Sequence, residues 1–328
     1  MSKKINATNL QRFMIIGILV GLCFVFSMMN KEFLTYVNIS NILRQQSMVA
    51  ITAAGATFIM ITTGLDISVG STIALSGVVF AKLVQGGMHL FPAFLIAILV
   101  GGMVGCINAA MIVGAKINPV IATLGSMYAV RGVAYLLAGG STVANGLPVN
   151  FNVLGRGYIG PIPIPVIIMI LIYIFFHFVL SKTLLGKYTY AIGGNRETAR
   201  LSGISVSKVM ISLYVITGLL TGLSGTIMAS RLTSGNPQIG AGFEFDVIIA
   251  VFLGGVSTAG GEGTIIGTFI GAMIVGVLSN GLNLIGVDPF YQYIIKGVVL
   301  VLAVMLDMAL KGNRLSLESL KKKILAKS

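Results

Sequence analysis

The sequence predicts an all-α integral membrane protein with about ten transmembrane helices, and three observations carry that expectation. The first is composition: of 328 residues, 56% are hydrophobic and only 9% charged, with a mean hydropathy of +0.97. A soluble chain carries roughly 25% charged residues. The second is pattern. The apolar runs are continuous over membrane-spanning lengths without period-two alternation, which selects helices over a closed barrel. The third is where the positive charge lies. Lys3, Lys4 and Arg12 precede the first apolar run; Lys182, Lys187, Arg196, Arg200 and Lys208 fill one interior segment; Lys311, Arg314, Lys321, Lys322, Lys323 and Lys327 form the tail. These three groups hold 14 of the 22 basic residues (3 + 5 + 6). Setting all three on the cytoplasmic face satisfies the resistance of basic flanks to translocation. The net charge of +13 therefore reads as topology, not as affinity for nucleic acid.

Taken in order, residues 1–12 are a cytoplasmic N-terminus and Phe13–Met29 is the first span. That run ends in Met29-Asn-Lys-Glu32 without a small-residue cleavage site, so it reads as an uncleaved helix and not a signal peptide. An outside segment, Asn30–Gln46, leads to span two, Ser47 to about Thr63. A polar interruption, Gly64–Ser71, precedes span three, which runs to about Val84. Span four is Phe91–Ala115. Span five is Pro119–Ala138, with proline at a favourable first-turn position. A longer outside segment, Gly139–Pro163, precedes span six, Ile164–Leu180. Six crossings return the chain to the side of its N-terminus at the basic segment 182–208. There, Asn195–Leu201 has the composition of a short helix, with Glu197 near its start and Gly203 as terminator.

Span seven is Val209–Ser230, span nine Ile265–Leu284 and span ten Tyr291–Leu310. The basic tail, residues 311–328, belongs inside, so Phe243–Gly255 must cross as span eight. At about 1.5 Å per residue it reaches only some 20 Å, short for a full crossing. A short helix broken at Gly254-Gly255 and continued by irregular backbone resolves the shortfall. Such backbone is tolerated at membrane depth where it is buried in protein or lines a cavity. The two interruptions, around Gly64–Ser71 and within Phe243–Gly263, each turn an inward helix into an outward one. Glycine- and hydroxyl-rich breaks at matching places in two halves point to a substrate path.

Single residues have competing readings. Asp66 is an acid in an apolar region, which suits a gate or path residue; it equally suits a helix N-cap. Ser68 and Ser71 beside it, with Asn108, Asn280 and Asn283, could meet a hydroxylated solute or hold helices together. Arg131, in span five, snorkels, pairs or lines a cavity. Glu244, Asp246 and Glu262 bracket span eight and read as solute contacts or as caps. His89 and His177 have no ligand-like spacing and read as interfacial. Cys23 and Cys106 lie far apart in apolar spans and read as buried small hydrophobes. No metal ligand set, cofactor motif or phosphate-binding loop occurs, so the chain is expected to be a non-enzyme without cofactor. Span nine carries glycines at 267, 271 and 276, a small-residue packing face. The tail places Leu317, Leu320 and Ile324 at helical spacing among lysines, a basic amphipathic segment for the anionic leaflet of membrane lipid.

Three strings carry a family resemblance: Gly64-Leu-Asp-Ile-Ser-Val-Gly-Ser71, the segment Gly186–Ile204, and Leu253–Thr264 together with Asn280–Gly286. In order and spacing, from about Phe33 to Asp307, they resemble the permeases of bacterial monosaccharide ABC importers, the ribose permeases most of all. Branched-chain amino-acid permeases share the superfamily and match these strings less well. The resemblance implies a ten-helix fold of the vitamin B12 importer type, spanning residues 13–310, in the bacterial inner membrane. It also implies three kinds of partner: ABC ATPase subunits on the cytoplasmic side, an extracytoplasmic sugar-binding protein, and a second permease copy. By the same resemblance Gly194, Asn195, Glu197, Ala199, Arg200, Leu201 and Gly203 form the coupling helix to the ATPase. The rival from another class is a secondary transporter driven by an ion gradient, with Asp66 as its coupling carboxylate.

Overall fold

The structure, a computed structural model, describes the backbone of residues 7–325 and the side chains of residues 14–305, 307 and 308. Ten helices stand where the ten spans were expected: α1 (Ala7–Met29), α2 (Tyr36–Ile61), α3 (Val69–Gln85), α4 (Leu90–Ala109), α5 (Pro119–Ala138), α7 (Ile164–Lys182), α10 (Val206–Leu232), α11 (Phe243–Leu253), α12 (Ile265–Leu284) and α13 (Pro289–Leu325). Three shorter helices lie between them: α6 (Val153–Arg156), α8 (Leu184–Gly194) and α9 (Arg196–Leu201). A turn of π-helix (Ala110–Gly114), a turn of 3-10 helix (Val149–Asn152) and one two-stranded hairpin, β1 (Tyr158–Ile159) with β2 (Ile162–Pro163), complete the regular elements of the described residues. Among the described residues, five helices are both long and apolar enough to cross a membrane: α4 with its continuation to Gly114, α5, α7, α10 and α12. The all-α membrane architecture follows.

The bundle is built around α2 and α10. α2 is buried almost throughout from Gln46 to Ile61, and α10 packs on α4, α3 and α2. Both are rich in small and hydroxylated residues, which lets backbones approach where apolar side chains gain nothing over lipid. The α4–α10 crossing is the extreme case. A Cβ on Gly101 would collide with the carbonyl of Gly218, and one on Gly105 with the carbonyl of Tyr214. Buried hydroxyls close their own bonds, Thr217 and Thr221 to carbonyls four residues back, Thr52 to Ser224 across the α2–α10 contact at 3.0 Å. The outward faces of α1, α4, α5, α7 and α13 carry the large exposed apolar side chains, as lipid-facing surfaces do.

Several boundaries differ from expectation. Helix α2 begins at Tyr36, not Ser47, because Thr35 caps it and Asn38 in its first turn is bonded to the carbonyl of Phe33 and to Asn280. The first interruption is Thr62–Ser68; Val69, Gly70 and Ser71 already belong to α3. The basic segment 182–208 is not a loop but consists mostly of helix, with α8 and α9 joined at Asn195. Cys106 is exposed and Cys23 half-buried, so neither is a buried core residue; both lie on apolar outer helices. The short span eight is α11, followed by irregular backbone to Thr264, as expected. α13 continues as helix through Leu325, but the tail's Leu317, Leu320 and Ile324 lie outside the residues with described side chains, as do Lys3, Lys4 and Arg12.

Candidate functional site

Both interruptions and the short helix α9 meet at one end of the bundle. α2 ends in a tight turn: the amides of Thr62 and Gly64 donate to Ile59, and that of Thr63 to Met60. Thr63 has φ +62°, a left-handed conformation that is strained for a β-branched residue. The carbonyl of Ile61 is satisfied from the other half of the chain, by the amide of Gly261 at 2.9 Å. Gly193 of α8 lies against that same bond. A Cβ there would overlap the Ile61 carbonyl and the Gly261 amide. Only glycine allows three backbone segments to converge so closely.

Two residues further on, Asn195 caps α9, its side chain accepting from the amide of Thr198 at 2.8 Å. Ala199 is buried beneath the helix, whereas Leu201 is 76% exposed. Gly203, at φ +82°, ends it. On its outer face Arg200 Nη2 and Glu197 form an ion pair at 2.5 Å. The hydrogen bond from Arg200, and then its charge, hold the Glu197 carboxyl below its ordinary range and raise the arginine above its own. The expected short helix is thus present, capped and exposed, with one apolar side chain held out into solvent.

Asp66, Ser68 and Asn108 come together as a buried cluster. Asp66 is 9% exposed, and its Oδ1 accepts the Ser68 amide at 2.9 Å and the Ser68 hydroxyl at 2.6 Å. The Asn108 amide nitrogen donates to Asp66 Oδ2 at 3.3 Å and to Ser68 Oγ at 2.9 Å, and Ser126 Oγ donates to Asn108 Oδ1 at 2.5 Å. Ser71 closes on the carbonyl of Ser68 at 2.8 Å. The helix-cap reading of Asp66 is corrected in detail: Ser68 occupies the N-cap of α3 and contributes no side-chain cap, while Asp66 folds the turn before it. A turn of π-helix, Ala110–Gly114, continues α4 two residues beyond Asn108. That widened turn and Thr62–Gly64, Lys116, Asn118 and Arg196 border a cleft of about 470 Å³ at the α9 end. Asn108 was legible as a polar residue in an apolar span; Ser126 was not singled out, because one serine in a helix carries no pattern.

Asn280 and Asn283 do not join this cluster. Asn280 forms a reciprocal amide pair with Asn38, both bonds at 2.9 Å, near the start of α2 and so at its opposite end from Asp66. Asn283 accepts from Gln292 at 2.8 Å. Of the weighed readings, the geometry gives both the role of joining helices, α2 to α12 and α12 to α13. Arg131 neither snorkels nor ion-pairs at hydrogen-bond distance: its Nη1 donates to the carbonyls of Pro237 at 2.7 Å and Ile239 at 2.5 Å, pinning the loop before α11. Glu244 is buried close to Gly70, and Asp246 pairs with Lys296 of α13. His89 caps α4, accepting from the Phe91 amide at 3.4 Å. The glycines of α12 do pack as expected: Gly267 against the carbonyl of Gly254, and Gly271 against that of Ala250.

Comparisons with known proteins agree with this architecture. Residues 38–304 match the family described as branched-chain amino acid transport system/permease component. The chain is 42% identical over 292 residues to the ribose import permease protein of Escherichia coli (strain K12), covering 88% of this chain and 91% of that one. It is 42% identical over 287 residues to the ribose import permease protein of Bacillus subtilis (strain 168), covering 87% and 89%. It is 35% identical over 300 residues to the L-arabinose ABC transporter permease protein of Azospirillum brasilense, covering 92% and 88%. No solved structure matches. Helical architecture, matched breaks and full-length similarity converge: the chain belongs to the branched-chain amino acid transport system/permease component family, among its sugar ABC permeases, and is a multi-pass, non-catalytic permease subunit.

Proposed function

We propose that this chain is the transmembrane subunit of an ATP-driven importer for a monosaccharide, a ribose-like pentose or a related sugar. Solute is delivered by an extracytoplasmic binding protein and passes inward by alternating access. The subunit resides in the bacterial cytoplasmic membrane with both termini inside, pairs with a second copy of itself, and receives an ATPase subunit on each copy. α9, from Asn195 to Gly203, is the docking element. The supporting observation is the junction of Gly193, Ile61 and Gly261, which binds the base of the exposed helix to both interruptions at once. A push on α9 therefore reaches the Asp66–Ser68–Asn108 turn and the end of α11 through stiff backbone contacts. Rigid coupling of that kind is what a subunit without its own ATP site requires. The relatives' names supply the solute class.

The test is co-purification of the tagged permease from its native membrane in mild detergent, with identification of partners by mass. A stoichiometric ATPase subunit, lost when Leu201 and Arg200 are replaced together by alanine, is the expected result. A permease that purifies alone and moves solute in liposomes under an ion gradient overturns the reading and puts Asp66 forward as an ion-coupling carboxylate.

A further inference from the structure

A second cleft, of about 440 Å³, lies between α11 and α13. Its polar wall is Asp246, Gln292, Tyr293 and Lys296, and its apolar floor includes Phe245 and Leu300. Its position in the bundle follows from the chain. The end of α11 leads to Gly260 and Gly261 beside α8, and Asp307 of α13 accepts from the Thr258 amide at 3.0 Å and its hydroxyl at 2.8 Å. Asp246 and Lys296 stand earlier on those same two helices, so the cleft is displaced from the α9 end toward the opposite end of the bundle.

The ion pair is the feature that needs explaining. Lys296 Nζ bridges the carboxylate of Asp246, donating to Oδ2 at 2.9 Å and lying 2.7 Å from Oδ1. The two side chains keep 23% and 18% of their surface. Two charges on the flanks of apolar helices are expensive against acyl chains, and residues of this kind face water-filled paths or protein. The surrounding chemistry narrows the occupant. The cleft offers a carboxylate held by an ammonium donor, an amide, and an aromatic ring that is part of a side chain 62% exposed. Acceptor and donor groups beside an aromatic face suit a compact molecule with many hydroxyls and apolar C–H faces. The volume falls within the usual range for small-molecule sites, roughly 300–1,000 Å³. Gln292 is oriented for this by Asn283 and by the carbonyl of Val287 at 3.2 Å, so Asn283 acts on the cleft at one remove.

We infer that the α11–α13 cleft is a binding site for a hydroxylated solute on the permeation path, with Asp246, Lys296 and Tyr293 as the contacting groups; the inference rests on the importer reading above. Part of its content is that the ion pair is a solute contact and not only a latch between helices. The experiment uses the full complex, permease with ATPase and binding protein, reconstituted in vesicles and supplied with D-ribose and ATP.

Tyr293→Ala, Asp246→Asn and the exchange variant D246K/K296D are compared with the unaltered complex. Tyr293→Ala and Asp246→Asn are expected to lower uptake at least tenfold while binding-protein-stimulated ATP hydrolysis stays within twofold. The exchange variant keeps the attraction between helices and is expected to leave uptake low. Uptake restored within twofold by the exchange overturns the proposal in favour of a latch. Independently, a cysteine substituted for Tyr293, in a background with Cys23 and Cys106 replaced by serine, is treated with a small maleimide during turnover. Slowing of alkylation by D-ribose is expected. Alkylation that is insensitive to D-ribose, or blocked in its absence because a second copy covers the cleft, overturns the site. Failure of the importer reading appears elsewhere, as an unaltered complex without ATP-driven uptake.

Discussion

Gly193 and Gly194 are adjacent, and the structure assigns their substitutions opposite signs. A methyl group at Gly193 would occupy the space in which the Ile61 carbonyl accepts the Gly261 amide. Neither obstruction is the flexible end of a side chain, so the backbone itself must move. Overpacking a close junction costs about 1–3 kcal/mol. Loss of the buried hydrogen bond adds about 0.5–1.5 kcal/mol. Gly193→Ala is therefore expected to destabilise by about 2–4 kcal/mol. Gly194 has nothing within 4 Å of its missing Cβ, so alanine there relieves backbone entropy and stabilises by up to about 1 kcal/mol. Heating the purified permease in mild detergent, then measuring the monodisperse fraction by size exclusion, compares the two directly. At roughly 2 °C per kcal/mol, the Gly193 variant should melt several degrees below the Gly194 variant. In the reconstituted complex it should also move less solute per ATP. Equal melting temperatures, or a Gly194 variant as damaged as its neighbour, would refute the junction as the connection between α9 and the two breaks.

Other predictions follow from the same geometry. Asp66→Leu removes the acceptor of the Ser68 amide and hydroxyl and one of the acceptors of the Asn108 amide, and should cost about 2–4 kcal/mol; a melting temperature within a degree of the original would show that the cluster is not structural. Asn280→Leu should cost about 0.6–2 kcal/mol and leave uptake intact. A double-mutant cycle with Asn38→Leu checks that the two residues act as one pair, and additive effects would deny it. Thr63→Gly removes the left-handed strain and should raise the melting temperature by an amount reflecting about 1–2 kcal/mol; a lowered value would mean that the turn is held by the threonine side chain. Glu197→Ala touches an exposed ion pair and should leave thermal stability unchanged. Its effect is expected as a shifted salt dependence of ATPase binding, read by pull-down at several ionic strengths.

Much of the architecture was legible because lipid leaves so few options. Continuous apolar runs and clustered lysines located the ten helices at the expected spans, and the shortness of Phe243–Gly255 announced the broken one. The strings around Asp66, Gly254 and Asn195 located the two interruptions and α9. What could not be read was anything set by contact across the bundle. The early start of α2 escaped notice because Asn38, Ser40 and Gln46 look like loop residues until Asn38 is seen to pair with Asn280 and Gln46 to lie against Gly276 of α12. Asn108 and Asn280 look alike in sequence. One joins the Asp66 cluster and the other pairs with Asn38, a division that depends on which helices stand side by side. The loop-pinning role of Arg131 depends on carbonyls more than 100 residues away. Cys106 was misplaced for a related reason: an apolar helix gives no indication of which side faces lipid.

The bond from Gly261 to Ile61 also constrains the order in which the molecule can be made. Two hundred residues separate donor from acceptor (261 − 61 = 200). At about 5–20 residues per second, roughly 10–40 s pass between synthesis of the two. Throughout that interval the last carbonyl of α2 lacks the amide that will finally cap it, although Phe58, Ile59 and Met60 can already be satisfied by the turn itself. The first half of the protein is thus inserted but unfinished, and a nascent chain halted before Gly261 would present an open helix end to the membrane quality-control machinery. Completion of this junction becomes a late event of biogenesis, so a chain that has not yet reached Gly261 has no formed seat for α9.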